Sequence, residues 1–302
     1  MQRFKKALLI YNGNAGQKDI DKTLGVSVPI LSETIGQLLL LKTEEPGDAM
    51  KLCQEYGETV ELAIILGGDG TVHECVNGLA PLKNRPAVAI LPGGTCNDFS
   101  RSLGIPQDIK SAAEMIVNGD IISVDAMKVN DGYTLNFCGL GLITETSNNI
   151  KENEKAALGR IGYYLSAIRT IRNMDPFSYR IEYDGEISDG EAVMILAANG
   201  HSIGTRTLPC NGISYNDGLA DIFIFKNAGL GVLKEYLSGE FSLADEEEEL
   251  SKEILHFSGK KINIRTDQPR DVDTDGEVYL KTPLEIEVLQ HHFQMIKPKA
   301  EN

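Results

Sequence analysis

Continuous apolar runs alternate with amphipathic stretches along the first 125 residues. Each run is followed by a loop of small or polar residues, and the four runs lie at 7–11, 38–41, 63–65 and 87–91. Buried parallel strands read as unbroken apolar segments, and the helices that connect them supply the amphipathic stretches. The pattern therefore predicts an α/β domain with a parallel sheet, in which the loops after the strands meet at one edge.

The pattern changes near Asp125. From there, turns of the Asn-Asp-Gly and Asp-Gly type, at 130–132 and 184–185, separate runs in which apolar and polar residues alternate. Alternation with a period of two is typical of half-buried antiparallel strands, here at 193–197, 220–225, 261–265 and 284–289. We predict a C-terminal antiparallel β-sandwich domain over 127–287, interrupted by one helix at about 158–174.

The loop at 67–71, with the sequence Gly-Gly-Asp-Gly-Thr, follows the third apolar run. Glycine permits positive φ and close approach of a ligand to the backbone, and the first turn of a helix favours phosphate. A carboxylate repels phosphate unless a metal ion or a hydroxyl lies between them, so Asp69 indicates a nucleoside triphosphate handled with Mg²⁺. A helix that starts at Thr71 would also form a capping box with Glu74, which needs no ligand but leaves the glycines unexplained.

A second loop of similar composition, at 92–99, follows the fourth run, and Thr95 and Asp98 are spaced as a weaker cap. The chain of 302 residues is long enough for two cores. We expect an α/β nucleotide-binding domain over 1–126, a cleft between it and the β-sandwich domain, and a last segment at about 288–298 that returns to the first domain.

The composition argues against several classes of protein. A net charge of −15 disfavours nucleic acid as a partner and simple electrostatic adhesion to anionic membranes. The five cysteines are scattered without a Cys-x-x-Cys pair, which is typical of reduced thiols in a cytosol, and the five histidines lack zinc-ligand spacing. No apolar run approaches the length of a membrane span or a signal peptide. These features predict a cytoplasmic enzyme.

The chain contains no Walker A motif, no dinucleotide-binding glycine motif after a strand and no protein-kinase signature. Instead, Gly-Gly-Asp-Gly-Thr-x-x-Glu-x-x-Asn-Gly at 67–78 resembles the nucleotide signature of the diacylglycerol kinase catalytic family, which includes sphingosine kinases and is related to NAD kinases. Pro-x-Gly-Thr-x-Asn-Asp-Phe-x-Arg at 92–101 resembles the family's second signature. Further matches lie in the family's order at 12–16, Thr43, 199–200, 217–221 and 273–277.

The resemblance implies an ATP- and Mg²⁺-dependent lipid kinase that phosphorylates the hydroxyl of diacylglycerol or a related lipid alcohol. Asp69 would orient Mg²⁺ or the phosphate oxygens. The residues that the resemblance places around the nucleotide are Asn12, Gly13, Asn14, Ala15, Gly16, Thr43, Gly67, Gly68, Asp69, Gly70, Thr71, Glu74 and Thr95.

The resemblance also assigns roles in the second half. Glu277, with Asp275, would accept the proton of the lipid hydroxyl. A further Mg²⁺ would be held by Asp217 and by backbone carbonyls at Ser214 and Leu219. The residues expected to join a carboxylate–water network are Asn97, Asp98 and Asp125. Taken alone, the segments 275–277 and 216–218 also read as ordinary β-turns.

Two positions depart from the family's pattern. Gly13 stands where proline is usual, which predicts a looser loop before nucleotide binds. Cys96 stands where glycine or alanine is usual, so nucleotide affinity or redox sensitivity could differ. Two other functions stay open, namely a kinase of a soluble acceptor such as a dinucleotide and a non-catalytic nucleotide-binding sensor.

The expected partners follow from a lipid acceptor. We expect transient peripheral contact with the inner face of the membrane. The helix at 158–174 could lie on the membrane or pack on the β domain, since it carries arginines beside aromatic and aliphatic residues. A homodimer is compatible with the sequence.

Overall fold

The computed structural model describes residues 2–13, 20–141, 143–144, 175–208, 212–226 and 254–300. The chain divides into two compact units, the first formed by Met1–Val124 with His291–Asn302 and the second by Asp125–Gln290. The predicted helix at 158–174 lies outside the described residues. In the part of the chain that is described, no helix is long and apolar enough to cross a bilayer.

The first unit alternates strands and helices, as the apolar pattern predicts. Its elements are β1 Phe4–Asn12, α1 Ile20–Ser32, β2 Ile35–Thr43, α2 Asp48–Tyr56, a short 3₁₀ helix at Gly57–Thr59, β3 Leu62–Gly67, α3 Asp69–Leu79, β4 Ala87–Pro92, α4 Asp98–Ser102 and α5 Ile109–Asn118.

The second unit is built almost wholly of strands. Its elements are β5 Asp120–Val129, which begins in the first unit, then β6 Gly132–Thr134, β7 Phe137–Gly141, β8 Phe177–Tyr183, β9 Glu186–Ala192, β10 Met194–Ala198, β11 Ser202–Ile203, β12 Arg206–Thr207, β13 Ala220–Phe225, β14 Ile254–Gly259, β15 Lys261–Thr266, β16 Asp271–Thr274, β17 Glu277–Lys281 and β18 Leu284–Lys297, whose end belongs to the first unit.

The strands of the first unit form a parallel sheet in the order β2-β1-β3-β4, and the end of β18 pairs with β4 through Met295 and Val88. Every residue of β3 is buried, which explains why that strand reads as a continuous apolar run. The predicted parallel sheet is confirmed. Because neighbouring parallel strands end at one edge, the loops after β1, β3 and β4 are brought to the same side.

The second unit is a β-sandwich, as predicted. One antiparallel layer has the order β14-β13-β10-β7-β16-β17, and the other contains β9-β8-β15 with the first part of β18. Side chains from both layers meet in one core that includes Phe177, Ile181, Ile195, Ile222 and Ile264. The hairpins expected at 130–132 and 184–185 are present as β5–β6 and β8–β9.

Candidate functional site

The two glycine loops of the first unit, at 67–70 and 92–97, contact each other backbone to backbone, and we call them the paired glycine loops. The N–H of Gly93 donates to the carbonyl of Gly67 at 2.8 Å. A Cβ added to Gly68 would lie 3.0 Å from the Cα of Gly94, and one added to Gly94 would lie 2.5 Å from the Cα of Gly68. Only glycine allows this approach, so part of the glycine requirement comes from the neighbouring loop.

None of the glycines in the paired glycine loops, all of them described residues, adopts a positive φ. The left-handed position is instead Asn97, with a φ of 53°. Its side chain accepts a hydrogen bond from the N–H of Gly94 at 2.8 Å and donates to the Gly94 carbonyl at 3.1 Å. Asparagine tolerates this conformation better than most residues do. The asparagine in the second signature is therefore the feature of the sequence that indicates a left-handed position in this loop.

The helix α3 begins at Asp69, so the capping box predicted from Thr71 and Glu74 is wrong. Gly68 occupies the N-cap position, and no side chain caps the helix there. The Glu74 carboxylate instead accepts the backbone N–H of Ala49 at 3.2 Å, in the first turn of α2. The weaker cap is also wrong, because α4 begins at Asp98 with Asn97 as its N-cap.

The Asp69 carboxylate joins the paired glycine loops. One oxygen accepts the N–H of Asn97 at 3.0 Å, and the other accepts the N–H of Asp98 at 2.7 Å. Asp69 therefore binds the start of α4, where unpaired N–H groups favour an anion. Asp69, which the sequence predicts to orient Mg²⁺ or phosphate oxygens, therefore has a second role that no local motif indicates.

Three atoms that can ligate a metal, one each from Asp69, Cys96 and Asp98, lie within 4.8 Å of one another. Asp98 is 1% exposed and Cys96 is 4% exposed. Two adjacent carboxylates suit a hard cation such as Mg²⁺, whereas the thiol of Cys96 would favour a softer metal. The donor set of the two aspartates thus fits the Mg²⁺ that the sequence predicts.

The predicted nucleotide contacts from β1 and β2 adjoin each other. Asn12 pairs with Thr43 at the carboxyl ends of the two strands, and the N–H of Gly13 donates to the Thr43 carbonyl at 3.4 Å. Thr95, in the second glycine loop, is exposed. The remaining predicted contacts, Asn14, Ala15 and Gly16, lie outside the described residues.

In the second unit, Asp275 and Gly276 form the tight turn between β16 and β17. Thr274 pairs with Glu277, and the two central residues have φ values of 53° and 94°. Positive φ at both central positions is the requirement of a type I′ hairpin turn. Glu277, the first residue of β17, is partly exposed.

Asp275 is 8% exposed and binds backbone with both carboxylate oxygens. They accept the N–H groups of Leu135 at 2.9 Å, Asn136 at 3.0 Å and Phe137 at 2.9 Å. Both oxygens of Asp275 are thus engaged with backbone N–H groups, and its role as a proton acceptor beside Glu277 stays a prediction.

The cation site predicted at Asp217, Ser214 and Leu219 lies in the loop before β13, which we call the cation loop. The buried Asp125 carboxylate accepts the N–H of Gly218 at 2.6 Å, and Asp217 accepts the N–H of Leu219 at 3.0 Å. Burial, and then the negative charges of Asp221 and Asp125, raise the pKa of Asp217 above its ordinary value. The negative charges of Asp125 and Asp221 would also favour a bound cation beside Asp217, so the loop fits Mg²⁺. Ser214, at the start of the loop, donates its hydroxyl to Asn216 at 2.9 Å.

Asn199, to which the sequence assigns no role, connects this loop to the segment 135–137, whose N–H groups bind Asp275 and which we call the Asp275 cradle. It is fully buried, and its side-chain amide donates to the carbonyls of Asp125 at 3.2 Å and Leu135 at 2.7 Å. Its backbone N–H donates to the carbonyl of Asn136 at 2.9 Å. One hydrogen-bonded network thus runs from the Asp217 loop to the segment that holds Asp275.

Comparison with known proteins agrees with these features. Residues 6–129 match the model of the diacylglycerol kinase catalytic domain. Residues 141–297 match the model described as the YegS C-terminal NAD kinase beta sandwich-like domain. A Staphylococcus aureus protein provisionally named a lipid kinase is 35% identical over 299 residues, which is 97% of each chain.

Solved structures give the same result. A Bacillus anthracis protein provisionally named a diacylglycerol kinase is 47% identical with a TM-score of 0.90. The crystal structure of a diacylglycerol kinase from the same species is 44% identical with a TM-score of 0.87. In both cases 98% of each chain is covered. An Archaeoglobus fulgidus NAD kinase in complex with ATP shares the fold at a TM-score of 0.51, with 12% identity, 98% coverage of this chain and 94% of that one. Together with the paired glycine loops, the likeness over nearly the whole length shows that this chain belongs to the diacylglycerol kinase catalytic family.

Proposed function

We propose that the protein is an ATP- and Mg²⁺-dependent kinase that phosphorylates the hydroxyl of diacylglycerol or a related lipid alcohol. One observation carries this proposal. Asp69, at the start of α3, accepts the N–H groups of Asn97 and Asp98 at the start of α4, and so connects the paired glycine loops. That arrangement collects backbone N–H groups and two carboxylates, Asp69 and Asp98, at one edge of the sheet.

The proposed chemistry needs alignment and charge neutralisation. The N–H groups of the paired glycine loops and the start of α3 would hold the triphosphate. Asp69 and Asp98 would hold Mg²⁺, which neutralises charge on the phosphate oxygens when it is bound. The acceptor oxygen forms a bond to the γ-phosphorus while the bond to the bridging oxygen breaks and ADP leaves. Glu277 accepts the proton of the hydroxyl.

The acceptor class rests on the relatives. The S. aureus and B. anthracis proteins carry lipid kinase and diacylglycerol kinase names, at 35% and 44% identity. The likeness to the NAD kinase, at 12% identity, concerns the fold alone. A lipid acceptor also requires transient contact with a membrane surface, which we propose for this protein.

A panel phosphorylation assay tests the proposal. The purified protein is incubated with γ-labelled ATP, with Mg²⁺ or EDTA, and with mixed micelles of diacylglycerol, phosphatidylglycerol, sphingosine or undecaprenol. NAD without detergent is the soluble alternative. Labelled lipid that depends on Mg²⁺ is the expected result. Label on NAD alone would establish a soluble acceptor, and no label on any acceptor would favour a sensor.

Asp69→Ala supplies the inactive control for this assay. We expect transfer to fall by roughly 10²-fold or more, because the substitution removes a Mg²⁺ ligand and the bond to α4. Asp108→Ala is the matched comparison, since Asp108 also accepts a backbone N–H at a helix start, from Ser111 at 2.8 Å. It should lower stability by removing the N-cap of α5 and leave transfer unchanged. Equal turnover by wild type and Asp69→Ala would contradict the assignment.

A further inference from the structure

We propose that Asp275 is a positioning residue, which fixes the hairpin that carries Glu277 and takes no proton from the substrate. The inference rests on the proposed function, because it concerns how that function's base is aligned. The inference gives different roles to two neighbouring carboxylates, Asp275 and Glu277, which the sequence predicts to share one role.

The contacts of Asp275 determine this assignment. Three consecutive backbone N–H groups, at 135–137, point at its two oxygens over 2.9 to 3.0 Å. Hydrogen bonds to a charged acceptor are about twice as strong as neutral ones. With 8% of its surface exposed, Asp275 has its oxygens directed into the protein, whereas Glu277 is partly exposed at the start of β17. The geometry leaves Glu277 as the residue that can meet an acceptor hydroxyl.

The backbone around Asp275 is fixed by further bonds. Its own N–H donates to the carbonyl of Phe137 at 3.2 Å. The N–H of Gly276 donates to Asp273 at 2.7 Å, and the hydroxyl of Thr274 donates to the carbonyl of Glu277 at 3.3 Å. The turn is therefore held on both sides, and the position of the Glu277 backbone follows from it.

Hydrogen bonds also connect the Asp275 cradle to the predicted cation loop around Asp217. The segment 135–137 is bonded to Asn199, Asn199 to Asp125, and Asp125 to the N–H of Gly218. Asp275 thus sits at one end of a network whose other end is the loop of Asp217. Displacement of the hairpin should misalign Glu277, and a misplacement of about 1 Å can cost roughly 10²-fold in rate.

The chain contains a matched control for this role. The hairpin β8–β9 has the same tripeptide, Asp184-Gly185-Glu186, with φ values of 46° and 97° at its central residues. The Asp184 carboxylate also binds backbone, accepting the N–H groups of Lys260 at 2.7 Å and Lys261 at 2.9 Å. Both aspartates stabilise a turn, yet only the turn of Asp275 carries the proposed base.

The test compares Asp275→Asn, Asp275→Glu and Asp184→Asn in the lipid assay, with ATP binding measured by calorimetry. Asparagine keeps the size of aspartate but loses the charge and turns an N–H₂ group toward the cradle. Asp275→Asn should lower kcat about 10- to 100-fold, keep the KM for ATP within a few fold, and keep the pH profile of kcat. Asp184→Asn should lower Tm less, because Asp184 is exposed and accepts two N–H groups instead of three, and it should leave kcat unchanged.

Asp275→Glu distinguishes positioning from proton transfer. Glutamate keeps a carboxylate that could act as a base, but its longer side chain does not fit the three N–H groups. If Asp275 positions the hairpin, this variant should be as impaired as Asp275→Asn. If Asp275 accepts the proton, glutamate should restore much of the activity, and Asp275→Asn should lose the acidic limb of the pH profile; either result overturns the proposal.

Gly276→Ala perturbs the backbone of the same turn without changing a carboxylate. It tests the positioning role if Asp275→Asn does not fold. Alanine at a φ of 94° strains the turn and leaves both carboxylates in place. It should lower kcat with an unchanged pH profile, whereas Gly185→Ala should not. If the wild type phosphorylates lipid and the Asp275 and Gly276 variants keep its kcat, the positioning role alone is overturned. A wild type that phosphorylates no lipid overturns the proposed function and the inference together.

Discussion

Glycine has different physical roles in the two candidate regions of the molecule. In the paired glycine loops of the first unit, Gly68 and Gly94 are required because two backbones touch, and neither has a positive φ. In the hairpin turns of the second unit, Gly185 and Gly276 are required because their φ values are 97° and 94°. A glycine in a motif can therefore be required by a neighbouring segment as well as by a ligand. Alanine substitutions distinguish a steric requirement from a conformational one.

The largest expected effect is that of Gly94→Ala. The added Cβ would lie 2.5 Å from the Cα of Gly68 and 2.8 Å from the Oδ1 of Asn97, so the paired glycine loops must separate. We expect kcat/KM for ATP to fall by roughly 10³-fold or more, because positioning and charge stabilisation are lost together.

Gly104→Ala is the control, since Gly104 has a φ of 70° and no atom within 4 Å of the added Cβ. It should cost about 1–2 kcal/mol of stability and leave nucleotide binding unchanged. Calorimetric titration with ATP measures both variants. Wild-type affinity in Gly94→Ala would show that the contact between the loops is not needed.

Glu277→Gln should have the next largest effect. The substitution keeps size and removes the proton acceptor, so kcat should fall by roughly 10²-fold or more. ATP affinity should stay within a few fold, because the paired glycine loops would hold the triphosphate. Glu186→Gln, in the other Asp-Gly-Glu hairpin, should leave both quantities unchanged. If ATP binding collapses while turnover of bound ATP persists, Glu277 is a nucleotide or metal ligand instead of a base.

Gly185→Ala isolates the cost of backbone conformation. No atom lies within 4 Å of the added Cβ, so the positive φ is the whole of the expected penalty. We expect a loss of about 1–2 kcal/mol in the free energy of unfolding and no change in kcat. Urea denaturation measures the first quantity. A loss of activity would mean that the β8–β9 hairpin contributes to the site after all.

Asp217→Asn should have the smallest effect, and its sign is informative. The raised pKa of Asp217 means that the folded state binds this proton more tightly than the unfolded state does. Its contribution to stability is therefore present below the ordinary carboxyl pKa and is lost as the pH rises through the raised value. At neutral pH without Mg²⁺, Asp217→Asn should raise Tm only slightly, because the side chain is exposed to solvent, and should weaken stabilisation by Mg²⁺. A lower Tm without Mg²⁺ would contradict a raised pKa of Asp217 in the folded state.

Local pattern was sufficient to predict most elements. The run 220–225 coincides with β13, and the Asp-Gly turns mark the hairpins β8–β9 and β16–β17. The start of α3 was missed, because Thr71 and Glu74 fit a capping box while Asp69 is the residue that bonds to a distant loop. Capping rules consider neighbours within one turn, and Asp69 lies 28 residues before the first N–H that it binds.

The amino-acid pattern alone was enough to predict the parallel and antiparallel parts, the positions of the turns and the family signatures. These follow from periodicity, which acts over a few residues, and from motifs that occupy short continuous segments. The surroundings of individual carboxylates, by contrast, became visible only in the folded chain. Asp275 binds N–H groups 138 to 140 residues before it in the chain, whereas Asp184, in the same tripeptide, stays exposed at the surface. Burial and hydrogen bonding between distant segments set what a carboxylate can do, and no local pattern contains that information.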